Sequence, residues 1–172
     1  MFREQLRGQS ILRNSLESTN DFRSHLGLPE WKSKTENPSE ISYHFGLTRD
    51  PFVVRKLDGV SFGEEFGSWT ISPNVEIEFR RPLPDRFILD LSFFGYGRNL
   101  NDEVTVSVGK TERQIVVERV GPCEPAVFKC EFANPSRTRS ICLFIPHSEV
   151  PPGDNRSIGI GLVSLKIRPL PA

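Results

Sequence analysis

Trp69, Phe66, Arg98, Asn99 and Asn155 are the side chains in this sequence best suited to holding a ligand. In the stretch Val60-Ser-Phe-Gly-Glu-Glu-Phe-Gly-Ser-Trp69, three rings and two glycines interrupt any clean alternation, so the pattern does not oblige every ring to enter a core. An exposed Trp69 or Phe66 would give a flat apolar platform for a sugar ring, with Glu64, Arg98 or Asn99 supplying hydrogen bonds. The polar tip Gly153-Asp154-Asn155-Arg156 could hydrogen-bond a hydroxylated ligand in the same way, although its composition is also that of an ordinary turn. The competing reading of the aromatic stretch is that its rings plug one end of the fold, because aromatic side chains are usually buried.

Other chemistries find less support. Gly95-Tyr-Gly97 and Gly159-Ile-Gly161 lack the third glycine and helix start of a dinucleotide turn, and no phosphate-cradling loop with a following lysine occurs. His25, His44 and His147 are scattered, with no pair at the spacing that places two ligands on one helix face. No Gly-x-Ser-x-Gly elbow is found, and the Glu64-Glu65 pair reads as solvated carboxylates. Asn99-Leu-Asn-Asp-Glu103 is rich in oxygen ligands but follows no calcium-loop spacing, so a polar hairpin turn is expected. No catalytic residue, metal or cofactor is assigned. Cys123, Cys130 and Cys142 are an odd number without paired spacing; a Cys130–Cys142 bridge requires the two strands carrying them to pair closely.

The elements that must position these residues read as strands. From Ile41 onward the hydrophobic period is two: Val75, Ile77 and Phe79 alternate with Glu76, Glu78 and Arg80, and Val104, Val106 and Val108 with Glu103, Thr105 and Ser107. Phe87, Leu89, Leu91 and Phe93 repeat the pattern, as do Phe128, Cys130 and Phe132. Further strands are expected near 41–46, 51–57, 67–72, 113–120, 139–146 and 158–168, giving about ten. No long helical pattern separates them, which excludes parallel crossovers. The last strand changes phase between Ile160 and Val163, which predicts a bulge near Gly161–Val163. The prolines between 73 and 152 fall at or beyond strand ends. The expected fold is all-β: an antiparallel two-sheet β-sandwich of jelly-roll type spanning residues 41–172.

Before it lie two segments of different character. Phe2, Leu6, Leu12 and Leu16 share one sector of a helix, and Asn20 or Asp21 can cap a second helix that ends at Gly27. Residues 1–28 therefore read as a short helical arm, a candidate for self-association, and 29–40 as a linker. With 172 residues, 37% apolar and 26% charged, the chain is long enough for one domain with a substantial core plus such an arm. Its 22 basic and 22 acidic residues cancel, so no net field draws it to nucleic acid or anionic lipid. No apolar run approaches the ~18 residues that span a bilayer, and Met1 is followed by Phe-Arg-Glu-Gln rather than a signal peptide, so the chain as given reads as soluble.

The order Leu57-Asp-Gly-Val-Ser-Phe62, Phe66-Gly-Ser-Trp-Thr70, Leu83-Pro-Asp-Arg-Phe87, Phe94-Gly-Tyr-Gly-Arg-Asn99, Val104-Thr-Val-Ser-Val-Gly109 and Ile158-Gly-Ile-Gly-Leu-Val-Ser-Leu-Lys-Ile167 resembles a bacterial β-domain. That domain is appended to the C-terminal side of cell-envelope glycosyltransferases and phosphoglycerol transferases. The resemblance covers roughly residues 41–168. Where the family pattern reads Trp-Gly-Arg-Trp, this chain has Phe66-Gly-Ser-Trp69. The resemblance implies a non-catalytic accessory module, either binding a glycan or docking onto a glycan-assembling enzyme, and a cell-envelope location if the parent is a membrane-bound transferase. Two alternatives stand beside it: a structural module for protein contact or oligomerisation, and a glycan-modifying enzyme.

Overall fold

The computed structural model describes residues 40–117 and 124–171; the expected helical arm, nearly all of the linker, and Cys123 lie outside the described residues. Ten strands carry the described chain: β1 (Ile41–His44), β2 (Val54–Asp58), β3 (Ser68–Trp69), β4 (Asn74–Phe79), β5 (Arg86–Phe94), β6 (Glu103–Val108), β7 (Thr111–Val116), β8 (Ala126–Ala133), β9 (Ser140–Phe144) and β10 (Gly161–Pro169). All pairings are antiparallel, in two sheets ordered β1-β10-β5-β8, with β3 beside β10, and β2-β4-β9-β6-β7. Strands β4, β5 and β6 form where the sequence alternates. Val75, Ile77 and Phe79 are buried while Glu76 and Glu78 face outward, and β5 buries Phe87, Leu89, Leu91 and Phe93 in the same way.

The inward faces of both sheets form one hydrophobic core. Phe87 of β5 stacks on Phe132 of β8 with ring centroids 5.9 Å apart, and Ile77, Val106, Ile141 and Leu143 pack into the same core from the second sheet. Fully burying an aliphatic or aromatic side chain of this kind is worth about 2–3 kcal/mol. The hairpin β6–β7 turns at Gly109-Lys110, and Gly109 takes φ +60°, a conformation that β-branched residues resist. The register of β10 against β5 shifts between Leu162 and Ser164, at the bulge the phase change predicts.

Two buried asparagines pin opposite ends of the sandwich. Asn134 donates from Nδ2 to the carbonyls of Leu83 (3.1 Å) and Thr138 (3.2 Å) and accepts the Thr138 N–H at Oδ1 (2.9 Å). Asn99 does the equivalent between the β5–β6 connection and the chain after β9. Both satisfy loop backbone groups that the sheets leave without partners. Cys130 lies on β8 in the first sheet and Cys142 on β9 in the second, so their strands do not pair and both thiols are free. Among the described residues no helix is long and apolar enough to cross a membrane.

Candidate functional site

The aromatic stretch is built around a glycine. On β10, Gly161 lies between Trp69 of β3 and Phe94 of β5, all three in the outward phase of the first sheet. Lacking a side chain, Gly161 leaves a hollow over which the flanking rings close; a β-carbon there would come within 2.9 Å of the Phe66 ring and 3.1 Å of Trp69. Phe66 sits 5.2 Å from Trp69 and 5.8 Å from Phe94, and Trp69 sits 5.7 Å from Tyr96, all in tilted or edge-to-face geometry. The result is a partly exposed patch of four rings on the outside of the sheet. Neighbouring Ser68 points inward, fully buried, and donates its hydroxyl to the Phe45 carbonyl (2.5 Å). Arg49 fixes the base of the loop by donating to the Ser61 carbonyl (2.6 Å) and Ser68 Oγ (2.5 Å).

Of the three rings in the 60–69 stretch, Phe62 is outside this patch. It is 69% exposed, and the Arg156 guanidinium lies over its face at 5.0 Å from the centroid. Arg156 also pairs with Glu64 (2.8 Å) and with Asp154 (2.6 Å), clipping the 153–157 tip to the aromatic loop. The guanidinium beside Asp154 holds that carboxyl far below the usual carboxylate range.

The remaining expected ligand groups fare differently. Phe66 and Trp69 are together in the patch, and Arg98, exposed, follows Tyr96 by two residues in the 3₁₀ turn Gly97–Asn99. Asn155 is exposed at the tip clipped by Arg156. Asn99 is 1% exposed, and its amide is fully engaged: Nδ2 donates to the His147 carbonyl (2.8 Å) and Oδ1 accepts the His147 N–H (3.2 Å). It pins a loop, and its side chain has no hydrogen-bonding capacity facing solvent. Asparagine in a run of Asn, Leu, Asn and Asp reads as turn, and nothing local in the sequence separates the buried one from the exposed ones.

Sequence reasoning also missed a dyad and a groove. His147 Nε2 lies 2.7 Å from Asp102 Oδ2, joining two residues separated widely in the chain. The Asp102 carboxyl is lowered by the Glu103 backbone N–H and then by His147. Among the described residues no set of three or more histidine, cysteine or acidic side chains could hold a metal ion.

The groove, of about 400 Å³, is open on the outer face of the second sheet. One residue from each of five strands forms a row across it, Asp58, Glu76, Cys142, Ser107 and Glu112 in spatial order. The adjacent row runs Asn74, Phe144, Thr105. Phe144 is 50% exposed and lines the groove. Lys56 ties one side together through ion pairs to Asp58 and, at 3.6 Å, Glu76. Partial burial and the Glu76 charge push the Cys142 thiol up, so it is a neutral group at physiological pH. The signal for Phe144 is present in the sequence: Ile141, Leu143 and Ile145 take the inward phase, which forces Cys142 and Phe144 outward.

Residues 32–169 match the family described as Domain of unknown function (DUF7024). The chain is 29% identical over 136 residues to phosphoglycerol transferase I of Citrobacter koseri, an alignment covering 73% of this chain and 17% of that protein. It is 27% identical over 135 residues to the proteins of the same name from Escherichia coli O139:H28 and Shigella boydii serotype 18, with the same coverage. The chain thus spans about one sixth of the length of these curated relatives.

Proposed function

The chain belongs to the family described as domain of unknown function DUF7024, and on that premise we propose that it is a non-catalytic, glycan-binding accessory domain of a phosphoglycerol transferase. The observation that carries this reading is coverage: the similarity takes in 73% of this chain but 17% of the transferase. The transfer chemistry then belongs to the remainder of such an enzyme, and this domain holds the glycan on which it acts. The strand order β1-β10-β5-β8 opposite β4-β9-β6-β7 supports the jelly-roll reading of the sandwich. Two outward surfaces offer rings for stacking against a sugar face, and one of them suffices for the reading: Phe66, Trp69 and Tyr96 on the first sheet, with Arg98 and Asn155 on adjoining loops, and Phe144 in the groove of the second sheet. An open platform buries little area, so binding is modest, in the range of micromolar to millimolar Kd.

The test has two arms. Purified chain mixed with a phosphoglycerol donor and a panel of neutral oligosaccharide acceptors should give no transfer, while calorimetric titration with the same oligosaccharides should give saturable binding to at least one. Transfer by the chain alone would overturn the non-catalytic assignment, and an absence of binding would overturn glycan recognition.

Exposed Leu47 and Phe62, brought near each other where Gly63 packs on the Gly46 carbonyl, favour a second reading in which the domain docks onto its transferase through this apolar rim. A truncated transferase lacking the domain would then recover activity when the chain is added in trans, and Phe62→Ser would abolish the recovery.

A further inference from the structure

We propose that the groove on the outer face of the second sheet is the glycan-binding site, and that it selects an uncharged sugar chain over one bearing phosphoglycerol. The inference rests on the glycan-binding reading above and adds the location and the charge of the ligand.

Three features of the groove carry it. Its volume of about 400 Å³ gives an extended ligand a place to lie across the strands. Phe144 presents a half-exposed ring with polar groups on both sides, Asn74 and Thr105 in its own row and Glu76 and Ser107 in the next. An apolar ring for the C–H face of a hexose, bordered by hydrogen-bonding groups for its hydroxyls, is the chemistry that sugar recognition requires. The third feature is charge. Asp58, Glu76 and Glu112 place three carboxylates along the row, with Lys56 the cation paired to two of them. Carboxylates accept hydrogen bonds from sugar hydroxyls strongly, and they repel a phosphodiester. The groove therefore favours the unmodified acceptor of a phosphoglycerol transferase and releases the anionic product, a polarity that would keep the domain on unmodified stretches of glycan.

The test is calorimetric titration of the full chain and its Phe144→Ala, Glu112→Lys and Trp69→Ala variants with a panel of neutral oligosaccharides, α- and β-linked, and with the same oligosaccharides carrying phosphoglycerol. Phe144 and Glu112 are on the outer face, so these variants fold; circular dichroism and an unchanged unfolding midpoint check this. For the parent chain, at least one neutral oligosaccharide should bind about tenfold more tightly than its phosphoglycerol form, and the gap should narrow in about 1 M salt. Phe144→Ala should weaken neutral binding about tenfold, Glu112→Lys should shrink the discrimination, and Trp69→Ala should leave both unchanged. If Trp69→Ala abolishes binding and Phe144→Ala does not, the groove is overturned while glycan recognition stands. If the phosphoglycerol form binds equally or better, the charge selection is overturned. If no oligosaccharide binds the parent chain, both the groove and the glycan-binding reading fall.

Discussion

The aromatic patch on the first sheet and the groove on the second are built in opposite ways. The patch draws two of its rings, Phe66 and Trp69, from one short stretch and closes them over a single glycine, so its members support one another. The groove takes one outward residue from each of five strands between Asp58 and Cys142, and none of those residues holds up the core beneath it. A site of the first kind is coupled to folding; a site of the second is free to change without disturbing the sheet. Substitutions should therefore separate the two regions by which property they move.

The largest effect is expected at the foot of the patch. A β-carbon at Gly67 would lie 1.9 Å from the Leu162 carbonyl oxygen, an approach that only backbone movement relieves. Gly67→Ala should lower stability by about 3 kcal/mol, read as a fall in the urea midpoint. Next comes Asn99→Ala, which strands the His147 N–H and carbonyl in the loop interior and should cost about 2 kcal/mol in the same measurement. Trp69→Ala removes contacts to Phe66 and Tyr96 and should cost about 1–2 kcal/mol. In the groove, Phe144→Ala should shift stability by less than about 0.5 kcal/mol, because the ring is half exposed on the outer face. A loss there equal to that of Trp69→Ala would erase the distinction between the regions.

The smallest effect concerns acid. Asp154 titrates well below its ordinary value of 3.8 in the folded chain, so the stability it contributes is whole above that value and is lost as pH falls further toward the folded value. Asp154→Asn should leave the unfolding midpoint more nearly equal between pH of about 5 and about 3 than in the parent chain, and groove substitutions should not.

Much of the scaffold was legible in the sequence because period-two alternation states which side chains enter the core. Val75, Ile77 and Phe79, and Phe87 through Phe93, are buried as their phase demands. The phase slip at Gly161–Val163 was legible for the same reason: an extra residue in a strand must exchange the faces on either side of it. The candidate site was legible only where its residues are neighbours in the chain. Phe66 and Trp69 stand three apart and are found together, whereas Asn99, equally polar, proves to be a buried pin whose role depends on His147 far along the chain. Strand pairing across the second sheet sets the groove, and the order β2-β4-β9-β6-β7 is not written in any single segment. Phe144 alone carried a local sign, an aromatic side chain in the outward phase of a strand.

Hydrogen–deuterium exchange on the full chain, with and without a saturating neutral oligosaccharide, tests the glycan-holding assignment most directly. Added protection confined to β9 and the strands flanking it, with the 60–69 loop unchanged, is the predicted result. Identical exchange at saturating sugar, or protection at the 60–69 loop with β9 unaffected, would contradict it.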